Sequence, residues 1–388
     1  MKKHRIYLDH AATTYVAGEV LQAMLPYFTT EYGNAASIHA FGRDAEKALA
    51  KAREQVAKAI NANPEEIYFT SGATEANNWV IRGAVKNHPS KRVVVSAIEH
   101  PCILETCADL VKDGYKVDYV KVDEFGVIQV SDLIAKLSKP CALVSIMTAN
   151  NEVGTIQYLN TIAKICHDKG VLFHTDATQA ISSVLIDVKE MKIDALSMSA
   201  HKIYGPKGIG ALYIKHGVKI AKYMFGGHQE NNMRAGTSNV AGAVGFGAAM
   251  TVATRDANIN NARMKSLRDY LINQIETKIE GAFLNGHRSQ RLPNNVHFSF
   301  SGIEGEAISM LLDLAGVAVS TGSACASGSL DRSHVLTAMG VKDALANGSV
   351  RFTLGRGTTR EDIDYTVGEL VKIVKKLRGI SPLCITKK

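Results

Sequence analysis

No stretch of this 388-residue chain is apolar for long enough to cross a membrane as a helix. The opening residues Met1-Lys2-Lys3-His4-Arg5 are basic, but Ile6-Tyr7-Leu8-Asp9 behind them is too short and too polar for a secretion-signal core. A cytoplasmic protein is the expectation. Cysteine is sparse: six residues (Cys102, Cys107, Cys141, Cys166, Cys325, Cys384) and no C-x-x-C pair, so neither a disulfide framework nor a zinc site follows. The first four stand in apolar or helical contexts and are expected to pack as small hydrophobes. Proline is scarce at 8 residues, and there is no internal repeat or low-complexity tract. A net charge of +8 is compatible with an acidic partner or RNA, and equally with a diffuse basic surface. No Lys/Arg run is interleaved with aromatics, so direct nucleic-acid binding is not expected.

What is present is an ordinary globular composition, 46% hydrophobic and 21% charged, long enough for two domains. After an amphipathic helix over Gly42 to Ile60, strand and helix patterns alternate. Strands are expected at Ile67–Thr70, Arg92–Ala97, Lys116–Val122, Ala142–Met147, Val171–His174, Ala195–Met198 and Gly210–Ile214. Helices are expected between most of them, including Thr74–Asn87, Cys102–Lys112 and Thr161–Lys169. That succession predicts an α/β fold with a mostly parallel sheet covered on both faces. Beyond Gly236 a long helical stretch, Asn239 to about Glu280, leads into mixed strands and helices ending at Arg360–Leu377, the pattern of a smaller α+β domain.

The chain's chemistry gathers at Ser199-Ala200-His201-Lys202, where a buried strand gives way to the turn Tyr204-Gly205-Pro206-Lys207-Gly208. An ammonium at a core edge is costly unless its pKa falls, and a neutral amine is a nucleophile that forms Schiff bases. The plain alternative is a surface lysine snorkelling past the strand end. Other signals also fall at strand ends, where open α/β sheets bind ligands. Ser71-Gly72-Ala73-Thr74 opens a helix as a phosphate seat, or as an ordinary threonine cap. Asp176 could pair with a protonated pyridine nitrogen, or cap a helix. His100, in Glu99-His100-Pro101, could stack on a ring and move protons, or be structural. Asn150-Asn151-Glu152-Val153-Gly154 could donate to a phenolate, or form a simple turn. One ligand asks for all of them in this order: pyridoxal 5′-phosphate.

With these motifs the chain resembles the group I cysteine desulfurases of the fold-type-I, class V aminotransferase superfamily over nearly its whole length. The resemblance rests on Tyr7 to Thr14, Gly33-Asn34-Ala35-Ala36-Ser37-Ile38-His39, Thr70 to Asn77, Asn150 to Gly154 and the lysine motif. Most specific are Gly226-Gly227-His228-Gln229-Glu230 running to Arg234-Ala235-Gly236-Thr237, and Ser320-Thr321-Gly322-Ser323-Ala324-Cys325. It implies a large cofactor-binding domain over 16–257 and a small domain of 1–15 with 258–388, with a catalytic cysteine loop at about 320–331. Lys202 would carry the cofactor as a Schiff base and serve as general base, with His100 stacking and assisting proton transfer. Asp176 would meet the ring nitrogen, and Asn151 and Gln179 the ring hydroxyl. Ala73, Thr74, Ser199 and His201 would hold the phosphate, joined by Thr237 from the neighbouring subunit of a homodimer. Arg351 would clamp the substrate carboxylate, with Asn34 and Asn151 as secondary contacts.

Cys325 separates this resemblance from an ordinary aminotransferase. Its neighbours Ser320 to Ser329 are nearly all small, which suits a mobile segment that carries sulfur outward, or a linker with an incidental cysteine. The implied reaction converts L-cysteine to L-alanine and leaves a persulfide on Cys325. No resident metal is implied, with Cys325 at most a transient iron–sulfur ligand. The sulfur would pass to an iron–sulfur scaffold or a tRNA-thiolation enzyme. The chain stops soon after its last helix, which weakens the scaffold expectation and leaves the two acceptors even. A selenocysteine or cysteine-sulfinate lyase of the same fold is the alternative, for which Cys325 would be dispensable.

Overall fold

Runs such as Arg92-Val93-Val94-Val95-Ser96 suit a strand only where both faces of its sheet are covered. The computed structural model, which describes residues 5–86, 88–321 and 332–381, has that arrangement. Among the described residues the strands are β1 (Ile6–Tyr7), β2 (Ile67–Thr70), β3 (Arg92–Ser96), β4 (Lys116–Val120), β5 (Leu143–Ser145) and β6 (Leu172–Asp176). There follow β7 (Ala195–Ser199), β8 (Gly210–Ile214), β9 (Ala282–Leu284), β10 (Asn295–Phe300), β11 (Val317–Ala318) and β12 (Ser349–Thr353). β2 to β8 form a seven-stranded sheet in the order β2-β8-β7-β6-β5-β3-β4. Only β8 runs against its neighbours, β7 and β2; the remaining pairings are parallel. β3, β7 and β8 are buried at every residue. An antiparallel sheet, β12-β10-β9, and a parallel pair, β1 with β11, make the smaller unit.

Alanine and glycine set how closely the flanking helices pack. The helix Ala40–Ala59 buries Ala45, Ala48, Ala52 and Val56 at helical spacing and lies against the helix Val240–Arg255. A Cβ on Gly247 would stand 2.9 Å from the Ala52 Cα, so this contact tolerates no side chain. The two helices start on side-chain caps, His39 accepting from the Gly42 N–H and Asn239 from the Gly242 N–H.

Strand positions follow the sequence pattern within two residues, β6 running on to Asp176. The long stretch expected from Asn239 to Glu280 is two helices, Val240–Arg255 and Ala257–Lys278. Asp256 between them has φ −101° and ψ 4°, outside helical values. One hydrophobic cluster draws mainly on residues 17–253, and another joins Ile6 and Leu8 to residues between 271 and 374. Val335, Leu336, Met339 and Ala346, late in the chain, pack into the first cluster and not the second. That crossing matters below, because it returns the chain to the large sheet just after residue 331.

His174 lies inside β6 between Ser145 Oγ (2.8 Å) and Ser197 Oγ (3.0 Å), and His297 inside β10 with Asn285 Nδ2 at 2.9 Å from its Nδ1. Burial pushes His174 down to about 4 and His297 down to about 3. Both are neutral when folded and bind a proton on unfolding once pH drops below the ordinary 6.5. Stability is therefore lost as pH falls from there toward the folded values. Denaturant titrations between pH 6 and 4.5 should lose about 1.4 kcal/mol per pH unit for each histidine. Glu99 and Glu152, pushed up to about 8 and about 7, act with the opposite sign, so the comparison is with His174→Gln and His297→Gln: a pH slope unchanged in both variants would contradict neutral burial.

Candidate active site

Because β2, β3, β5, β6 and β7 are parallel, their C-terminal ends share one edge of the large sheet. A cavity of about 530 Å³ lies there. The end of β2 contributes Ser71, Gly72, Ala73 and Thr74, the last two opening the helix Ala73–Lys86. First-turn N–H groups have no carbonyl ahead of them in their helix, so this turn offers donors to an anion. Its approach to the sheet depends on Gly210, where a Cβ would lie 2.7 Å from the Gly72 Cα. The loop after β5 contributes Asn151, and its turn closes through Gly154 at φ +80°, where a Cβ would meet the Asn295 side chain at 2.7 Å.

Lys202 ends the short turn Ala200–Lys202 directly after β7. Its Nζ donates to the carbonyls of Ala11 (2.5 Å) and Ala12 (2.8 Å), and Gln179 Nε2 also donates to the Ala11 carbonyl at 3.0 Å. The turn is pinned from the N-terminal segment: the Thr14 N–H and hydroxyl both donate to the His201 carbonyl at 3.0 Å, and the Tyr204 N–H donates to Thr14 Oγ1. Tyr204 holds φ +66°, an unusual value for a bulky residue. The Arg356 N–H donates to its hydroxyl at 2.7 Å, and the Arg356 guanidinium lies 4.5 Å from its ring centroid. His201, with Nδ1 3.1 Å from Thr13 Oγ1, is pushed down to about 4 by burial and by the Lys202 and Lys207 charges.

Asp176, the last residue of β6, accepts from Asn77 Nδ2 (2.7 Å) and from the Thr178 N–H (2.9 Å). His100 caps the helix Pro101–Lys112, its Nδ1 accepting from the Cys102 N–H at 3.2 Å and lying 3.0 Å from Cys102 Sγ. Burial lowers the His100 pKa; Asp176 opposes the shift, and Lys202 and His334 add to it. The expectation that Cys102 packs only as a small hydrophobe needs correction, because its side chain lines this cavity. Cys107, Cys141 and Cys166 are buried thiols.

Arg351 comes from β12 of the smaller sheet. Its Nη1 donates to the Asn151 carbonyl (2.9 Å) and its Nη2 to Asp9 Oδ1 (3.0 Å). Its Nε is buried without a hydrogen-bond partner among the described residues, as is Thr178 Oγ1, and both residues line the cavity. Ser320 exchanges backbone hydrogen bonds with Arg351, its carbonyl accepting at 2.7 Å and its N–H donating at 3.2 Å. Across residues 322–331, Ser333 Oγ donates to Glu152 Oε2 at 2.5 Å and His334 Nε2 lies 2.9 Å from the Glu99 carbonyl. Both described flanks of that segment are thus attached beside the cavity. Burial pushes Glu152 up to about 7 and Glu99 up to about 8.

Of the residues singled out in the sequence, Ala73, Thr74, His100, Asn151, Asp176, Gln179, Ser199, His201, Lys202 and Arg351 line this one cavity. Thr237 is exposed and borders a second cavity of about 160 Å³ that shares Ser71 and Gly208 with the first. Asn34 is exposed, outside the cavity lining, with its Oδ1 accepting from the Ala36 N–H at 3.0 Å. Cys325 lies outside the described residues. Sequence reasoning left Asp9, Asn77, Ser333 and His334 without roles; each acts through a partner more than 20 residues away. Pyridoxal 5′-phosphate fits this donor set. Amine, carboxylate and imidazole surround the space, a helix N-terminus with Thr74, Ser199 and His201 offers phosphate donors, and two buried polar atoms await partners.

The Aminotransferase class-V family model matches residues 6–366. The chain is 49% identical over 382 residues to cysteine desulfurase IscS of Dictyoglomus turgidum, covering 98% of this chain and 97% of that protein. It is 50% identical over 383 residues to cysteine desulfurase IscS of Clostridium botulinum, covering 98% and 96% respectively. A solved NifS-like protein superposes with a TM-score of 0.91 at 37% identity, covering 96% of this chain and all of that one.

Borohydride reduction of protein loaded with pyridoxal phosphate should fix the cofactor on the peptide containing Lys202, read by mass spectrometry. Lys202→Ala should abolish the label and its absorption band. A label of equal yield on another lysine would remove Lys202 from its assigned position.

Proposed function

The chain belongs to the aminotransferase class-V family, and we propose that within it the protein is a cysteine desulfurase working on L-cysteine. The observation that carries this reading is the sharing of one cavity by Lys202, Asp176, His100 and Arg351, with both flanks of segment 322–331 tied to its rim.

Pyridoxal 5′-phosphate supplies an electron sink for charge that develops at the α-carbon of an amino acid. Asp176, an acceptor-only group when ionised, holds a proton at the ring nitrogen and so keeps that sink positive. Arg351 binds the substrate carboxylate; a side-on pairing through Nε and Nη2 competes with Asp9 for the second nitrogen. Lys202 takes the α-proton with its neutral amine, and His100 assists proton movement from its place at the end of β3. The Cys325 thiolate attacks the substrate sulfur. An S–S bond forms as the C–S bond breaks, the electron pair stays with carbon and is protonated, and the products are alanine and a persulfide on Cys325. Cys325 follows Ser320 by five positions, a reach of up to about 17 Å.

The persulfide passes to an acceptor protein, an iron–sulfur scaffold or a tRNA-thiolation enzyme. The active form is a homodimer in which Thr237 reaches the phosphate held by the neighbouring subunit. Phe28 (59% exposed), Tyr32 (68%), Ile38 (91%) and Phe225 (66%) are exposed apolar side chains that this reading assigns to the subunit interface.

In a single-turnover assay with cysteine, the wild type should form one persulfide and release alanine, and Cys325→Ala should bind cysteine without releasing sulfur. Equal alanine release by both would replace this reading with a lyase. Mixed dimers of Lys202→Ala and Thr237→Ala subunits should regain one site of wild-type cofactor affinity per dimer, since one of the two sites then carries neither change. No recovery on mixing would place the Thr237 effect within its own subunit.

A further inference from the structure

We propose that Cys102, backed by Asn77, is a positioning residue that fixes the tautomer of His100, so that its imidazole enters the cavity with the proton on Nε2. The inference deepens the desulfurase reading and rests on it for the meaning of that proton. It starts from Asp176, whose ionised carboxylate can only accept. Asn77 must therefore turn its nitrogen toward Asp176 Oδ2 (2.7 Å), and the same Nδ2 lies 3.2 Å from Cys102 Sγ. The opposite amide orientation would set oxygen against oxygen. Asn77 is fully buried, so this orientation is held against the cost of an unpartnered Oδ1.

With Asn77 and the Thr74 hydroxyl both donating to the sulfur, the one thiol proton has His100 Nδ1 as its acceptor at 3.0 Å. The Cys102 N–H donates to the same nitrogen at 3.2 Å. Two donors converge on Nδ1, which must then carry its lone pair, and the proton of the neutral ring resides on Nε2. Burial pushes the Cys102 thiol up to about 12, so it stays an S–H donor across the physiological range. It is accordingly no nucleophile, despite lining the cavity. His100 can give a proton at Nε2 and take one back there, while Nδ1 is closed to protonation unless Cys102 turns away.

The test uses protein loaded with pyridoxal phosphate and labelled with 15N-histidine, with His100→Gln included to locate the His100 signals. Wild type and Cys102→Ser should both show an unprotonated Nδ1 and a protonated Nε2 in the neutral ring at pH 8. Cys102→Ala, with one donor to Nδ1 removed, should show shifts averaged between tautomers and a titration midpoint raised by roughly half a unit or more. The other groups facing His100 (Asp176, Lys202 and His334, with Glu99 beside it) are common to all three proteins. In turnover of cysteine, Cys102→Ala should lower kcat about 3- to 10-fold with KM unchanged, and Cys102→Ser should restore it. Identical His100 shifts and midpoint in wild type and Cys102→Ala would overturn the proposal. A tautomer change in a protein whose wild type releases no sulfur from cysteine would uphold the positioning role and remove the desulfurase reading.

Discussion

Parallel strands carry their C-terminal ends to one edge of a sheet, and here five of them deliver their following loops to the same space. Helix N-termini and strand-end loops point there by construction, so phosphate donors, a carboxylate and an amine collect without any one of them being brought far from its own strand. The antiparallel β8 adds to this edge from its start. Gly210, opposite Thr70, has no side chain and lets the Gly72 turn settle against the sheet. A larger residue at Gly210 would lift the Gly72 turn away from Ser199 and Lys202.

The smaller unit contributes the guanidinium that the large sheet does not bring to this cavity. Arg351 reaches the cavity because β12 is stitched to the N-terminal segment, Thr353 N–H donating to the Leu8 carbonyl, and to Ser320 across its own backbone. Asp9 and the Ala11 and Ala12 carbonyls, close together on the N-terminal segment, hold Arg351 and Lys202. A buried charge without a partner is costly, so Asp9 stabilises the buried Arg351 guanidinium. Its position also couples the two hydrophobic clusters, since Ile6 and Leu8 pack in one while Ala17 and Val20 pack in the other.

Much of this was legible in the chain. Apolar runs bounded by polar turns marked β2, β3 and β5 to β7, and Lys202, Asp176, His100 and Thr74 stood out because each follows such a run. What escaped was whatever depends on a distant partner. Asn77 reads as one more polar position on a helix until Asp176, 99 residues on, is seen to accept from it. Cys102 sits beside apolar neighbours in sequence, yet its sulfur faces His100 through the geometry of a helix N-terminus. Ser333 caps the helix His334–Ala338, and its hydroxyl also donates to Glu152, 181 residues back. The break at Asp256 lies inside a stretch of sustained helical pattern, where only backbone angles reveal it.

The account turns on Asp176, Lys202 and Arg351 facing one bound ligand. A crystal structure of the protein loaded with pyridoxal phosphate and an unreactive cysteine analogue tests this most directly. The account predicts the ring nitrogen against Asp176, the phosphate on Thr74, Ser199 and His201, and the analogue's carboxylate on Arg351. A ring turned away from Asp176, or a carboxylate bound elsewhere with Arg351 still paired to Asp9 alone, would contradict it.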